Sequence, residues 1–464
     1  MLANKNEETK SKIRNILNNI DDFYMITCDD GKDVLLHIPS LSIYTLDTKN
    51  SQLVHLLFQE ENGENIDQVL NFILNDDELY QSINELEQLT NYRVVEDLST
   101  VRRLALLISQ DCFLDCKYCY ANKGLYNKKG YMDKSIISNT LRSFYNTFDN
   151  IEAIQAFGGE PLLNLDVIEF LLNELLELSK FPRISIESGL GVPSKYVDHL
   201  VEIIQRFGDR FEFEIVASMD GPEEVQNFLR PFKGGASSYE IVSNNLMKLR
   251  QIDQPKAIEV TYTKMHQQHG FDYDIIKTFF NDTFGIRNLI IVPVMSSDKG
   301  LAFEQPISPE IHRVMKLIWQ MKMNENQEVK DELRLYLNRI FQQAPDQYYC
   351  RAGITNFVVD INGDIYPCQL VVGNARFKIS NVNESPDIVK NSLLDSAEAY
   401  KRSNSKLSDE KCRGCFLRYS CGGCVFEKYR VEGYNGACIS YGECDLKIEA
   451  VKNMLKERIW EGMV

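Results

Sequence analysis

Short apolar runs alternate with amphipathic segments over residues 101–305. Such runs predict buried strands, and apolar residues at helical spacing between them predict helices. The predicted strands lie at residues 104–108, 153–157, 184–186, 213–216, 258–262 and 289–292. Because six strands alternate with helices, we expect a parallel sheet and therefore an α/β domain in the middle of the chain.

The N-terminal part has a different pattern. β-prone segments come first and helical segments follow, at residues 23–28, 34–38, 43–46, 52–59, 66–74 and 79–89. This order predicts a compact α+β domain over residues 23–95. Residues 1–22 are polar, which predicts a frayed helix or an N-terminal arm.

Beyond the central domain, helices are predicted over residues 306–344. A cysteine-rich domain follows over residues 345–464, and its last segment, 446–460, has helical spacing. We expect the helices of residues 306–344 to bridge the central and C-terminal domains.

The chain has 464 residues and a net charge of -16, from 51 basic and 67 acidic side chains. This charge argues against nucleic-acid binding, because phosphates require a basic surface. The apolar runs are too short to span a membrane and the N-terminus is too polar for a signal peptide, so we expect a cytoplasmic protein. There, twelve cysteines are more often metal ligands than disulfides. Cys28 stands alone and is expected to be a small core residue.

Three cysteines, Cys112, Cys116 and Cys119, follow the first strand of the central domain. Thiolates at this C-x3-C-x2-C spacing are able to hold three irons of a [4Fe–4S] cluster and leave the fourth iron without a protein ligand. An open position on a metal is a place for chemistry. Zinc is the alternative, but it usually takes four ligands, and no fourth Cys or His lies near in the sequence.

The second predicted strand ends in Gly158, Gly159, Glu160 and Pro161. Glycines allow close approach of the backbone, and the carboxylate of Glu160 is suited to accept hydrogen bonds from an ammonium group. A Gly-Gly turn after a strand is weak evidence by itself. Its place downstream of the cysteine loop makes it strong evidence.

Together the two motifs resemble those of the radical S-adenosylmethionine (SAM) superfamily. The resemblance implies a partial (β/α)6 barrel with its function at the carboxyl ends of the strands. It implies that the open iron takes the amino and carboxylate groups of SAM, and that an electron from the cluster splits SAM to a 5′-deoxyadenosyl radical. It also implies that residues 158–161 bind the methionyl amine of SAM.

Other positions match the same family and imply further contacts to SAM. Tyr118 stands where an aromatic ring packs on adenine, and Ser188 is a candidate ribose contact, although relatives often have Thr-Asn-Gly where this chain has Glu-Ser-Gly. Ser218 and Asp220 are expected near the active site, and Arg230 near the carboxylate of SAM, which suits a guanidinium fork. The alternatives are ordinary packing for Tyr118 and a surface position for Arg230.

The C-terminal cysteines resemble those of the SPASM domain, which implies two auxiliary [4Fe–4S] clusters in addition to the SAM-binding one. The first auxiliary cluster would take Cys350, Cys368 and Cys424, and the second would take Cys412, Cys415 and Cys421. Cys438 and Cys444 would complete the sets in an order that the sequence leaves open. One of the two could instead be spare, which would leave an iron open to a substrate thiolate.

One departure from the common SPASM pattern is the spacing between Cys421 and Cys424, which is one residue shorter. The shorter form resembles that of maturases that make thioether bonds in peptides. A zinc ribbon would fit residues 412–424 locally, but it would explain neither Cys350 nor Cys368.

The strands and helices of residues 23–95 resemble the winged-helix RiPP recognition element, which binds the leader of a ribosomally made precursor peptide. The leader would then add a strand at the open edge of the sheet, at residues 43–46. The alternative is a generic α+β cap on the barrel.

The resemblance implies peptide maturation, and we expect a thioether from a cysteine sulfur to a carbon of the precursor, with flavodoxin or ferredoxin as the reductant. A carbon–carbon crosslink would use the same parts. Sulfatase maturases, which make formylglycine, have an aspartate base directly after the Cys of G-x4-C, where this chain has Gln369. An amide cannot accept a proton as a carboxylate does, so that activity is disfavoured.

Two interpretations from other classes remain at this point. An electron-transfer or scaffold protein with three clusters would have no use for residues 158–161 or 220–230. An enzyme for a free small molecule would not depend on residues 1–95.

Overall fold

The computed structural model describes residues 2–28, 31–60, 66–74, 76–126, 128–294, 296, 298–303, 313–318, 320, 329–330, 333–334, 337–426 and 444–461. Its strands are β1 Phe23–Ile26, β2 Val34–His37, β3 Ser42–Thr45, β4 Thr100–Val101, β5 Arg103–Gln110, β6 Gly130–Tyr131, β7 Asn150–Ile151, β8 Ala153–Gly158, β9 Arg183–Ser188, β10 Phe213–Ser218, β11 Ala257–Tyr262, β12 Leu289–Pro293, β13 Asn356–Val359, β14 Asp364–Tyr366 and β15 Ser380–Asn381. Its helices are α1 Leu2–Asn18, α2 Thr48–Gln59, α3 Ile66–Ile73, α4 Asp77–Thr90, α5 Lys134–Thr147, α6 Leu165–Glu177, α7 Ser194–Phe207, α8 Glu223–Leu229, α9 Tyr239–Arg250, α10 Lys264–Gln268, α11 Tyr273–Phe284, α12 Asn338–Phe341, α13 Pro386–Asn404, α14 Glu410–Arg413 and α15 Cys444–Lys456.

The central domain is the partial (β/α)6 barrel that the sequence predicts. Its six strands run parallel in the order β12-β11-β10-β9-β8-β5, with helices in the connections between them. The sequence locates all six strands, although each is longer in the structure than predicted.

The strands alternate between a helix-facing side and an inner side, because successive side chains of a strand point in opposite directions. On β11, Ile258 and Val260 are fully buried in the main hydrophobic core. Glu259 lies between these two residues and Thr261 follows Val260. Both Glu259 and Thr261 line a cavity inside the barrel. The inner side of the barrel is therefore polar and open to a ligand.

The N-terminal domain has a three-stranded antiparallel sheet in the order β1-β2-β3, followed by α2, α3 and α4. In the described part of the chain, β3 is an end strand of this sheet and pairs with β2 only. Of the two alternatives for residues 1–22, a frayed helix or an arm, the structure has a helix, because most of these residues form α1. Its apolar residues Ile13 and Ile16 share one side of the helix and are buried against α2, α3 and α4.

The N-terminal sheet packs on the C-terminal domain. Val34 and Leu36 of β2 share a hydrophobic core with Phe416 and with Val451 of α15. Close by, the guanidinium of Arg418 donates to Asp22 Oδ1 at 2.6 Å and to the carbonyl of Asp21 at 2.8 Å. The two ends of the chain are thereby held together.

The C-terminal domain continues the barrel sheet. Strand β13 pairs in parallel with β5, with Phe357 opposite Leu104, and β14 and β15 extend the sheet antiparallel to each other. The sequence analysis does not predict β13, because a short apolar run carries no sign of a partner strand so far away in the chain. This pairing brings the C-terminal domain to the first strand of the barrel.

Much of the predicted bridge over residues 306–344 lies outside the described residues. Within the described part, α12 forms its end. Among the helices that the structure describes, none has the length and the apolar character that crossing a membrane requires.

Candidate active site

The cysteine loop begins directly after β5 and is held by the segment that follows α8. The backbone N–H of Asp115 donates to the carbonyl of Pro231 at 2.7 Å, and that of Lys117 donates to Leu229 at 2.9 Å. Cys112, Cys116 and Cys119 line one cavity of about 440 Å³ inside the barrel. The structure thus brings the three predicted thiols together at the carboxyl ends of the strands.

The chemistry of these thiols fits an iron–sulfur cluster. Burial raises the pKa of the Cys112 thiol and raises that of Cys116 to about 12, so a thiolate here requires a positive partner such as iron. Over the residues that the structure describes, no three His, Cys, Asp or Glu side chains are grouped as a single metal ion would require. Three thiols around a cavity are instead the arrangement that a cluster with one open iron needs.

Gly158 and Gly159 connect β8 to the cysteine loop through the backbone. Gly159 donates to the carbonyl of Ser109 and Glu160 to that of Asp111, both at 2.8 Å. Gly158 has a φ of +138°, and a Cβ there would lie 2.0 Å from the Ser109 carbonyl oxygen. Only glycine fits this turn, which carries the backbone close to the cysteines.

Glu160 lies buried behind this turn and is held by three donors. Its Oε1 accepts from Ser188 Oγ at 2.7 Å and from the Leu162 N–H at 3.1 Å, and its Oε2 accepts from the Gly189 N–H at 3.1 Å. Burial raises the pKa of Glu160 to about 7, against the opposing effect of these hydrogen bonds. A ligand ammonium next to it would restore the carboxylate, so the site favours a cationic partner.

A second buried group joins Tyr118, Asp220 and Arg230. Arg230 Nε donates to Asp220 Oδ2 at 3.1 Å, and the same oxygen accepts from the Tyr118 hydroxyl. Although burial lowers it, Asp220 and other negative neighbours keep the pKa of Arg230 above its ordinary value. Arg230 is 7% exposed, so it is not the surface arginine of the alternative interpretation. With Ser218, it lines the same cavity as the cysteines.

The C-terminal cysteines lie in two groups. Cys350, Cys368 and Cys424 pack around one small hydrophobic core, which Cys119 also contacts. Gln369, next to Cys368, reaches the wall of the barrel cavity. The first predicted auxiliary set therefore lies beside the cavity.

The second group contains Cys412, Cys415 and Cys421, which are close enough to affect one another's protonation. Cys444 interacts electrostatically with Cys421 and Cys412, so it lies with this group. Cys438 lies outside the described residues. Its assignment, like the other ligand assignments, stays a prediction.

The sequence analysis missed four polar residues that face the barrel interior: Arg103, Gln155, Glu187 and Glu259. Each one stands in an apolar strand run or next to one of its ends, beside buried residues of the same strand. A charged residue inside a strand that is otherwise apolar was the available signal, because burial of a charge is costly and needs a reason.

Comparison with protein families decides the identity of the barrel. Residues 106–277 match the radical SAM superfamily, and residues 350–416 match the iron–sulfur cluster-binding domain named SPASM. This chain therefore contains a radical SAM domain and a SPASM domain. [4Fe–4S] clusters and SAM are the cofactors that these domains imply.

Two curated proteins are similar to this chain over most of its length. An uncharacterized protein of Methanocaldococcus jannaschii, MJ0907, is 24% identical over 68% of this chain and 96% of its own length. The radical SAM cyclopropyl synthase TigE of Paramaledivibacter caminithermalis is 20% identical over 88% of this chain and 87% of its own length.

Among solved structures, the radical SAM fold is shared with native anSMEcpe with bound AdoMet and the Cp18Cys peptide. The TM-score is 0.59 at 18% identity, over 78% of this chain and 98% of the other chain. At this identity the likeness establishes the fold alone.

Proposed function

We propose that this chain is a peptide maturase that forms a thioether between a cysteine sulfur and a carbon of a ribosomally made precursor peptide. The observation that carries the proposal is the cavity of about 440 Å³, whose wall includes the three loop cysteines and also Gln369 beside Cys368. One space between the radical-generating site and an auxiliary cluster is what an oxidative crosslink requires.

The barrel residues have distinct roles in this proposal. Cys112, Cys116 and Cys119 hold the SAM-binding cluster, and Glu160 accepts from the amino group of SAM. Arg230 lies where a guanidinium fork would meet the carboxylate of SAM. When bound, the cluster and SAM supply a 5′-deoxyadenosyl radical. Enclosure by the barrel keeps water away from that radical.

The C-terminal cysteines hold two auxiliary clusters, so the protein carries three [4Fe–4S] clusters in all. Cys444 belongs with Cys412, Cys415 and Cys421 in the second set, because it interacts with that group. The clusters that these cysteines would hold would provide an acceptor for the electron that the crosslink releases, and a flavodoxin or ferredoxin would supply the electron that starts the reaction.

The N-terminal domain binds the leader of the precursor. Strand β3 supports this role, since it is an end strand in the described chain and its Tyr44 is exposed. An added peptide strand would satisfy the backbone groups of β3. Tethering through the leader would raise the local concentration of the core peptide at the cavity.

The test is anaerobic coexpression with short cysteine-bearing peptides encoded beside the gene, followed by intact mass before and after thiol alkylation. Loss of two hydrogens with cysteines that resist alkylation after reduction is the expected result. The same loss with cysteines that still react would indicate a carbon–carbon crosslink. A peptide that stays unmodified while SAM is cleaved would contradict peptide maturation.

Two cysteine variants control for the source of the radical. Cys116→Ala should abolish 5′-deoxyadenosine formation, and a variant that still forms it would exclude the proposed cluster site. Cys28→Ala is the matched control, because Cys28 is a buried cysteine of the N-terminal domain that lies outside both motifs.

A further inference from the structure

A belt of hydrogen bonds crosses the inner wall of the barrel below the cysteine loop. Arg103 on β5 donates to Gln155 Oε1 on β8 at 3.2 Å, and Gln155 Nε2 donates to Glu187 Oε2 on β9 at 2.9 Å. Glu187 in turn shares a hydrogen bond with Glu259 on β11. At the other end Arg103 donates to Gln369 Oε1 of the C-terminal domain at 3.2 Å.

The register of the sheet explains why the two carboxyl groups meet. Glu187 lies opposite Val216 of β10, and Glu259 lies opposite Ser218 of the same strand. Val216 and Ser218 are two residues apart, so they face the same side, and both glutamates reach across β10 on the inner side. Both glutamates line the cavity that the loop cysteines also line.

Two carboxyl groups in hydrogen-bond contact share one proton, because two adjacent negative charges in an enclosed site repel each other. Burial and Glu259 raise the pKa of Glu187 to about 8, against the opposing effect of Arg103 and Arg230. The pKa of Glu259 is also raised, chiefly by burial. With one proton on the pair, one negative charge remains, and Arg103 at the other end of the belt balances it.

The charged and titratable groups that face the pair come from several elements. Besides Arg103, they are Arg230 and Asp220 after β10, and Tyr120 and Tyr126 after the last cysteine of the loop. Burial raises the pKa of Tyr120 well above its ordinary value, so Tyr120 stays neutral near pH 7. Arg230 and Asp220 pair with each other at 3.1 Å. Glu160 lines the same cavity and also has a pKa near neutral, but an ammonium group of SAM beside it would keep it ionised, which leaves the glutamate pair as the proton site there.

An oxidative crosslink releases a proton that needs an acceptor. As the C–S bond forms, the C–H bond gives its hydrogen atom to the 5′-deoxyadenosyl radical, and the S–H bond gives up a proton. The remaining electron passes to an oxidised iron–sulfur cluster. A carbon–carbon crosslink has the same balance, with a second C–H bond in place of the S–H bond.

We propose that the carboxyl pair of Glu187 and Glu259 is the base that takes this proton from the substrate. The inference rests on the proposed function, since it assigns a residue pair to the proton of that reaction. The ionised carboxylate of the pair accepts the proton, and the belt through Gln155 and Arg103 fixes its position.

The first experiment measures protonation and needs no turnover. Infrared difference spectra of the reconstituted holoenzyme are recorded as a function of pH, in H2O and D2O. With SAM bound, so that its ammonium group keeps Glu160 ionised, a carboxylic acid carbonyl band should be present at pH 7, decrease as the pH rises through about 8, and be missing in Glu187→Gln. A holoenzyme without such a band at pH 7 would overturn the inference.

The second experiment separates proton transfer from radical formation. In Glu187→Gln and Glu259→Gln, crosslinked peptide should fall about 100-fold while 5′-deoxyadenosine is still produced. In wild type, the crosslinking rate should rise with pH over the range where the doubly protonated pair loses one proton, because only then is one carboxylate of the pair ionised and able to act as the base. Crosslinking at the wild-type rate, or loss of SAM cleavage in the same proportion as crosslinking, would overturn the inference.

Glu214→Gln is the matched control. Glu214 lies on β10, between the strands that carry the pair, and points to the same side as Val216, but it pairs with Arg183 at 3.2 Å at the opposite end of the strands. It should keep both the infrared band and the crosslinking rate. Failure of the proposed function has a different signature, because wild type would then cleave SAM and leave the peptide unmodified while the infrared band persists.

Discussion

The barrel cysteine loop and the C-terminal cysteine region are held in place by different kinds of contact. The loop with Cys112, Cys116 and Cys119 is fixed mainly by backbone groups. Its neighbours Ser109 and Asp111 accept from the backbone of residues 159–160, and Asp115 and Lys117 donate to the backbone of residues 229–231. Side chains add to this support, since Asp111 Oδ1 accepts from the Cys112 N–H at 3.0 Å and the Tyr118 hydroxyl donates to Asp220.

In the C-terminal region, individual side chains support the segments that carry the cysteines. Asn404 Nδ2 donates to the carbonyl of Ala352 at 2.9 Å, and the buried ammonium of Lys406 donates to that of Asp346 at 2.7 Å. The Tyr349 hydroxyl bonds to Cys412 Sγ at 3.0 Å. The difference suggests that backbone changes disable the first site, whereas side-chain changes adjust the second.

The most damaging change should be Gly158→Ala, because its Cβ would lie 2.0 Å from the Ser109 carbonyl oxygen. We expect SAM cleavage to be lost and the free energy of unfolding to fall by about 4 kcal/mol. The measurements are 5′-deoxyadenosine formation and the urea midpoint of the holoenzyme.

Gly221→Ala separates the collision from backbone strain. Gly221 has a φ of +141°, close to the +138° of Gly158, but its Cβ would have no neighbour nearer than 3.9 Å. This variant should lose only about 1 to 2 kcal/mol. Equal losses in the two variants would contradict the role of the backbone contact.

The same contrast explains what the sequence could predict. The barrel strands, the cysteine loop and the Gly158 turn follow from local signals, namely apolar runs, close cysteine spacing and a glycine pair. The burial of Arg230 and the contact of Ser188 with Glu160 depend on which strands are neighbours, so the sequence alone does not determine them.

The parts that the sequence analysis missed all depend on pairing between distant segments. Strand β13 joins β5 across about 250 residues of sequence. The pair of Glu187 and Glu259 forms only because β9 and β11 flank β10. For residues 1–22 the sequence left open a frayed helix or an arm, since the few apolar residues of α1 stand in a polar segment and their partners lie on three other helices.

A smaller effect is expected from the buried ion pair that supports residues 346–351. Arg351 Nε donates to Asp346 Oδ2 at 2.9 Å, and both side chains are about 95% buried, with exposures of 5% and 4%. Arg351→Met would leave the Asp346 carboxylate with weaker compensation, at a cost of about 3 kcal/mol. The urea midpoint of the holoenzyme measures this loss.

Arg339→Met is the comparison for that variant. Arg339 Nη2 approaches the same carboxylate only to 3.7 Å, and 32% of its side chain is exposed. It should cost about 1 kcal/mol or less. If it destabilises the protein as much as Arg351→Met, the close pair is not what supports the segment.

The smallest expected effect is on the reduction potential of the auxiliary cluster that we propose at Cys412, Cys415 and Cys421. In Tyr349→Phe, Cys412 Sγ loses the hydroxyl that lies 3.0 Å away. A hydrogen bond to a ligand sulfur stabilises the reduced, more negative cluster, so its loss should lower the potential. The expected decrease is about 40 mV, from a bond worth about 1 kcal/mol. An anaerobic redox titration followed by electron paramagnetic resonance measures it.

Tyr348→Phe is the control, because the Tyr348 hydroxyl accepts from Gln347 at 3.1 Å. If the two variants shift the potential equally, the hydroxyl of Tyr349 does not tune a cluster at Cys412, and a general change in packing accounts for both shifts.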